Sequence, residues 1–118
     1  MYKSGSGKIK SRVYHLDQAG NEILYVEFGY NSEMRLIKFS LNLTTKITAE
    51  GRDLQKEIVR YDCGHGHLHM HRFYRKPPTK EKIMEEISVQ TAKELAQEIR
   101  ENWKTWKKAM FENYGGQS

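Results

Sequence analysis

With 118 residues, the chain is long enough to bury a core without disulfides or metal ions, and its length predicts a single domain. Its only cysteine, Cys63, excludes an intramolecular disulfide, and no apolar run approaches the about 20 residues that cross a bilayer, so no membrane association is expected. The net charge of +5 favours an anionic partner, although charge reports on association and not on fold or reaction.

Residues 1–7 are rich in Gly and Ser, which predicts a flexible arm. This segment lacks the basic, apolar and small-residue regions of a secretion signal. We therefore expect a cytoplasmic protein.

Three strands are predicted in the first 43 residues. Weak alternation over residues 8–16 precedes the turn formers Asp17, Gly20 and Asn21, which favour a hairpin into a second strand over residues 23–30. A third strand follows. The apolar side chains that share one face of the second and third strands are Leu24, Val26, Phe28, Tyr30, Ile37, Phe39, Leu41 and Leu43. We expect this face to form most of the buried side of a sheet.

The middle of the chain is less regular. Residues 44–56 mix Gly51 with helix-compatible residues and predict a connection with at most one short turn of helix. Strand character resumes over residues 57–62, and Asp62 to Gly64 favour a tight hairpin into a histidine-rich strand, with one bulged strand as the alternative. Residues 79–87 contain good helix formers but also alternate as an edge strand does, so both types stay open.

A long amphipathic helix is predicted to close the chain, with Ser88 as its cap and the pair Gly115 and Gly116 as its stop. Apolar residues recur at helical spacing along it, at Ala92, Ala96, Ile99, Trp103, Trp106 and Met110. The predicted fold class is α+β: a mostly antiparallel sheet of about five strands with the helix packed on one face. The same stripe matches a coiled-coil seam, so a homodimer through this helix is the alternative use.

Four of the five histidines alternate along one segment, at His65, His67, His69 and His71. In an extended strand they share one face, with Leu68, Met70 and Arg72 on the other. The row spans roughly 20 Å, so the four cannot bind one ion. Cationic and aromatic residues follow it at Arg72, Tyr74, Arg75 and Lys76.

One interpretation of this segment is metal-independent acid–base cleavage of RNA, because a histidine with a pKa of about 6.5 exchanges protons near neutral pH. The reaction needs a base, an acid and cations for the developing charge, but no cofactor. The candidate catalytic residues are His67, His69, His71 and Tyr74. The candidate RNA-binding residues are Arg60, Tyr61, Arg72, Arg75 and Lys76, with the tyrosines able to stack on a base or donate a proton.

A second interpretation is a non-enzymatic metal-binding or protein-interaction module, with His65, His67 and His69 as candidate ligands for zinc or another transition metal. Two neighbouring histidines on a strand point the same way, and the remaining ligands would come from Asp62, Cys63, a glutamate or a second subunit. A third interpretation of the histidine-rich strand is a polar face that is simply exposed to water. For His15, which stands alone in the first strand, we expect only this structural role.

The segment also resembles a family of known proteins. An Arg-Tyr-Asp triplet followed by a glycine- and histidine-rich strand ending in H-x-H-R-[FY] is similar to TumE-like proteins, the proposed toxins of prokaryotic toxin–antitoxin pairs. The resemblance covers about residues 57–75, and the matching positions are Arg60, Tyr61, Asp62, His69, His71, Arg72 and Phe73. It implies a growth-inhibiting protein that acts on RNA or translation and is neutralised by a partner antitoxin.

Overall fold

The computed structural model describes residues 7–63, 67–84 and 87–115, with residue 84 described by its backbone alone. Within these ranges, an antiparallel sheet of six strands is followed by one helix. The elements are β1 (Ile9–His15), β2 (Glu22–Tyr30), β3 (Leu36–Ala49), β4 (Arg52–Asp62), β5 (Leu68–Arg72), β6 (Thr79–Met84) and α1 (Val89–Tyr114). Each strand pairs with the next one in the chain, so the sheet is a simple meander. The predicted α+β class is confirmed.

The connection predicted over residues 44–56 is wrong, because these residues form the long hairpin of β3 and β4. Thr44, Thr45 and Ile47 are β-branched, which favours a strand. The hairpin turns at Glu50 and Gly51, where φ is 53° and 76°. Two successive residues with positive φ match the right-handed twist of the strands that they join. Gly51 therefore marks a turn and does not interrupt a helix.

The structure decides between the alternatives for two segments, residues 79–87 and the connection into the histidine-rich strand. Residues 79–84 pair with β5 as an edge strand, so the sheet has six strands where about five were predicted, and residues 85 and 86 lie outside the described ranges. Asp62 pairs with His69, so the chain returns as a hairpin and not as one bulged strand. Asp62 itself lies within β4, and Gly64 of the predicted turn lies outside the described residues.

The helix begins and ends where the sequence predicts. The Ser88 side chain accepts a hydrogen bond from the Thr91 amide at 3.0 Å, and Gly115, with φ 76°, donates its amide to Phe111 at 2.8 Å. The helix packs over β3 and β4, and the side chains that it buries are Ala92, Leu95, Ile99, Trp106 and Met110. Full burial of one such large apolar side chain stabilises the fold by about 1.5–3 kcal/mol.

The apolar stripe of α1 is thus used within the chain, while a homodimer through this helix stays a prediction. None of the helices in the described ranges is both long and apolar enough to span a bilayer.

Candidate functional site

The sheet has two different faces. One is covered by α1, and within the described ranges no helix covers the other, which we call the open face. Residues that pair directly across antiparallel strands point to the same face. Arg60 pairs with Asn42 and with His71, and Asp62 pairs with His69, so the register places these five side chains together on the open face.

A continuous chain of polar contacts joins three strands on this face. The His71 Nε2 atom lies 3.2 Å from Asp62 Oδ2, and Arg60 Nε donates to the same oxygen at 2.9 Å. Arg60 also donates from Nη1 to Glu57 Oε1 at 2.8 Å, and the Asn42 amide donates to that oxygen at 2.9 Å. We call these five residues, Asn42, Glu57, Arg60, Asp62 and His71, the open-face network.

A β-bulge completes the network. The register between β3 and β4 shifts between Leu43 and Thr44: Leu43 pairs with Val59, but Thr44 pairs with Glu57. Ile58 is the extra residue, and both Ile58 and Val59 are buried. In a regular strand, Glu57 and Arg60 would point to opposite faces because they are three residues apart. The bulge brings the Glu57 carboxylate onto the open face beside the Arg60 guanidinium.

His71 is the titratable group of greatest interest in the network. Its side chain is 14% exposed, whereas those of Asp62 and Arg60 are 28% and 32% exposed. Burial lowers the pKa of His71, and the neighbouring Asp62 carboxylate partly opposes this effect. At neutral pH the imidazole is therefore uncharged. A neutral imidazole that contacts a carboxylate through Nε2 carries its proton there, which leaves the lone pair on Nδ1.

Aromatic and cationic groups surround His71. The Phe73 ring stacks on the imidazole, with centroids 5.6 Å apart and an angle of 10°, and Arg60 Cζ lies 5.3 Å from the Phe73 centroid. Lys80 and Lys82 on β6 pair in register with His71 and His69. The site thus places two histidines among carboxylates and cations, a combination suited to proton transfer beside an anion.

Three of the predicted site residues lie on the helix side, with the sheet between them and His71. Tyr61 is fully buried and donates its hydroxyl to Glu98 Oε1 at 3.0 Å; burial, together with Glu98, raises its pKa. Arg72 binds Glu81 at 2.5 Å. Tyr74 stacks on Trp106 of α1, with centroids 6.1 Å apart. A fully buried Tyr61 is not placed to stack on an RNA base.

Arg75 and Lys76 lie in the exposed turn between β5 and β6. Lys76 Nζ is 5.7 Å from the centroid of the Tyr114 ring, and Lys56 Nζ is 5.0 Å from the same centroid. A cavity of about 220 Å³ lies beside them, lined by Lys56, Glu57, Phe73, Pro78 and Tyr114. Because Glu57 belongs to the network and Phe73 stacks on His71, this cavity adjoins the open-face network.

The predicted metal ligands are only partly described. His65 lies outside the described residues, and the rings of His67 and His69 meet edge to face with centroids 6.4 Å apart. Cys63 is buried, where its Sγ accepts the Phe39 amide at 2.8 Å. In the part of the chain that the structure describes, no three His, Cys, Asp or Glu side chains come together as a metal site. The metal interpretation, which includes His65, stays a prediction.

Sequence reasoning did not include Asn42, Glu57, Lys80 or Lys82 in the site, and it considered Asp62 only as a metal ligand or as part of the family motif. No local pattern marks these residues, because strand pairing alone brings them to the histidines. Alternation along the histidine strand predicts that Arg72 lies on the other face of the sheet from the histidines, and the structure agrees.

Comparison with known proteins gives one family. The model of a family described as "Domain of unknown function (DUF7718)" matches residues 11–115, a range that includes the open-face network. No curated protein and no solved structure matches the chain.

Proposed function

Because the chain belongs to the DUF7718 family, whose description states no activity, we propose its function from the open-face network: a metal-independent ribonuclease that works by acid–base catalysis. The observation that carries the proposal is the contact of 3.2 Å between His71 Nε2 and Asp62 Oδ2 beside His69. A carboxylate that orients an imidazole and stabilises its protonated form is a recurring way to make a general base.

In the proposed reaction, His71 Nδ1 takes the proton of a ribose 2′-hydroxyl, and Asp62 stabilises the imidazolium that forms. The 2′-oxygen attacks the adjacent phosphorus, the bond from phosphorus to the 5′-oxygen breaks, and His69 gives that oxygen a proton. The products are a 2′,3′-cyclic phosphate and a free 5′-hydroxyl. One histidine gains a proton and the other loses one, so the step is balanced without a metal ion.

The cations have different roles in this proposal. Arg60 contacts two carboxylates, so its charge is largely compensated and it positions Asp62. Lys80 and Lys82 pair in register with the two histidines, which suits binding of the reacting phosphate. Arg75, Lys76 and Lys56 would bind phosphates further along the RNA, since charge-assisted contacts to the backbone dominate RNA affinity.

The resemblance of residues 57–75 to TumE-like proteins supports a toxin role for such a ribonuclease. An antitoxin protein would then neutralise it, and masking the open face would be sufficient to block the reaction. Both the toxin role and the antitoxin belong to the proposal.

The test is cleavage of single-stranded and structured RNA, with and without EDTA, by the wild type, His71→Gln and Asp62→Asn. We expect His71→Gln to reduce the rate by about 10²–10⁴-fold, the usual contribution of a general base. His15→Gln is the matched control, because His15 is an exposed histidine on β1 outside the network. Absence of cleavage by the wild type, or equal cleavage by His71→Gln, would overturn the proposal, and loss of cleavage in EDTA would favour the metal interpretation.

A further inference from the structure

A second cavity lies on the opposite side of the sheet from the open-face network. It is a cleft of about 360 Å³ between β1 and β2 on one side and the first half of α1 on the other. Small-molecule sites in proteins have volumes of about 300–1,000 Å³, so the cleft is at the lower end of that range. Its deepest lining residues are apolar and buried, at Leu24, Val26, Leu41 and Ala92.

The cleft exists because the helix does not cover the whole sheet. The helix packs over β3 and β4, and its side chains toward β2 are small at Ala92 and Ala96. Phe28 and Ala96 are only half-buried, although both pack against the core. An apolar ligand that covered them would be stabilised in proportion to the apolar surface that it removes from water.

The rim of the cleft is cationic. Arg100 Cζ lies 5.4 Å from the centroid of the Tyr14 ring, and Lys93 is exposed one turn of α1 above Ala96. Lys10 Nζ lies 5.7 Å from the Tyr30 ring, which also lines the cleft. Among the described lining residues none is acidic.

A neighbouring carboxylate, Glu101, accepts a hydrogen bond from Gln97 at 3.4 Å on this rim. It does not line the cleft, whereas Lys93 and Arg100 do. Both charged residues that line the cleft are therefore cationic, and its interior is apolar.

We propose that this cleft binds a small amphiphile with an apolar chain and an anionic head group, of the class of medium-chain carboxylates. The apolar chain would lie on Val26, Phe28 and Ala96, and the head group would contact Arg100 and Lys93. An uncharged hydrocarbon would leave the cationic rim without a partner, and a cationic amphiphile would be repelled by it. The site is independent of the proposed ribonuclease reaction, because the sheet separates the two.

The test uses decanoate as the probe, titrated into the full chain by calorimetry below its micellar range, with decyltrimethylammonium as the charge-reversed probe. We expect saturable binding of decanoate, little binding of decyltrimethylammonium, and amide shift changes at residues 89–100 in NMR spectra. Arg100→Gln should weaken decanoate binding about tenfold, the value of one charge-assisted hydrogen bond. Lys104→Gln, an exposed lysine on the same helix outside the cleft, should bind as the wild type does.

Ala96→Phe, which fills the cleft, should abolish binding, with circular dichroism as the folding control. If that variant does not fold, the charge-reversed probe and Arg100→Gln still decide the question. No saturable binding of decanoate to the wild type, or equal binding of both probes, would overturn the proposal. Shift changes confined to another part of the chain would also overturn it.

Discussion

The two faces of the sheet each hold a carboxylate that binds a cation, and they differ in their access to water. On the helix side, Glu22 is fully buried; Lys107 contacts its Oε1 at 2.9 Å, and the Thr45 hydroxyl donates to the same oxygen. On the open face, the Asp62 carboxylate between Arg60 and His71 is 28% exposed. The buried pair can anchor the helix but cannot reach a substrate, whereas Asp62 and His71 can do so.

Three consecutive residues show the same division. Arg60 and Asp62 point to the open face and bind each other, while Tyr61 between them points under α1 and binds Glu98. Neighbouring positions in a strand thus serve different purposes: one anchors the helix and two build the candidate site. The comparison predicts that substitutions on the helix side reduce the free energy of unfolding more than the rate of RNA cleavage. Substitutions on the open face should reduce the rate of cleavage more than the free energy of unfolding.

The largest effect is expected from Lys107→Met, which leaves the buried Glu22 carboxylate without its cation. Removing one partner of a buried ion pair costs about 3–5 kcal/mol, because the remaining charge stays desolvated. Among the described residues, Glu22 Oε2 already lacks a hydrogen-bond partner, so the site has little to compensate. Urea denaturation measures the free energy of unfolding.

Lys108→Met is the matched control, since Lys108 is exposed on the same helix, and we expect a change within about 0.5 kcal/mol. A Lys107→Met protein as stable as the wild type would show that the pair does not anchor the helix, and the comparison of the two faces would then fail.

A smaller loss of stability is expected from Tyr61→Phe, which removes only the hydroxyl that donates a hydrogen bond to Glu98. Because the Glu98 side chain is exposed and can be hydrated, the free energy of unfolding should fall by about 1.5 kcal/mol, at the low end for a hydrogen bond to a charged group. RNA cleavage at a temperature where both proteins are folded should be unchanged. Reduced cleavage with unchanged stability would instead return Tyr61 to the RNA-binding role that the sequence suggested.

Local patterns predicted most of the fold but only part of the candidate site. Helical spacing with Ser88 and Gly115 defined α1, and alternation placed His69 and His71 on the face opposite Leu68 and Met70. Register between strands has no local signal, because it depends on side-chain packing across the whole sheet. The bulge that carries Glu57 to Arg60, and the pairing of Lys80 with His71, therefore became visible only in the structure.

The smallest and most specific effect concerns pH. Burial lowers the pKa of His71 below its usual value of about 6.5, so the imidazole stays neutral and able to act as a base somewhat below that pH. The rate of RNA cleavage should fall on the acid side with a midpoint below about 6.5. Asp62 raises the pKa of His71, so Asp62→Asn should move this midpoint to lower pH. A pH–rate profile of both proteins measures the shift.

The same titration links the open face to stability, with a defined sign. A histidine whose pKa is lower in the folded than in the unfolded state favours unfolding when it becomes protonated. Its stabilising contribution is complete above the unfolded pKa of about 6.5 and is lost as the pH falls through the lower folded pKa. His71→Gln should therefore lose less stability than the wild type on acidification, as followed by thermal melts, while His15→Gln should follow the wild type. If the stability of His71→Gln and of the wild type fell equally on acidification, His71 would be as hydrated as an exposed histidine. The burial that keeps the imidazole neutral and able to act as a base would then be absent.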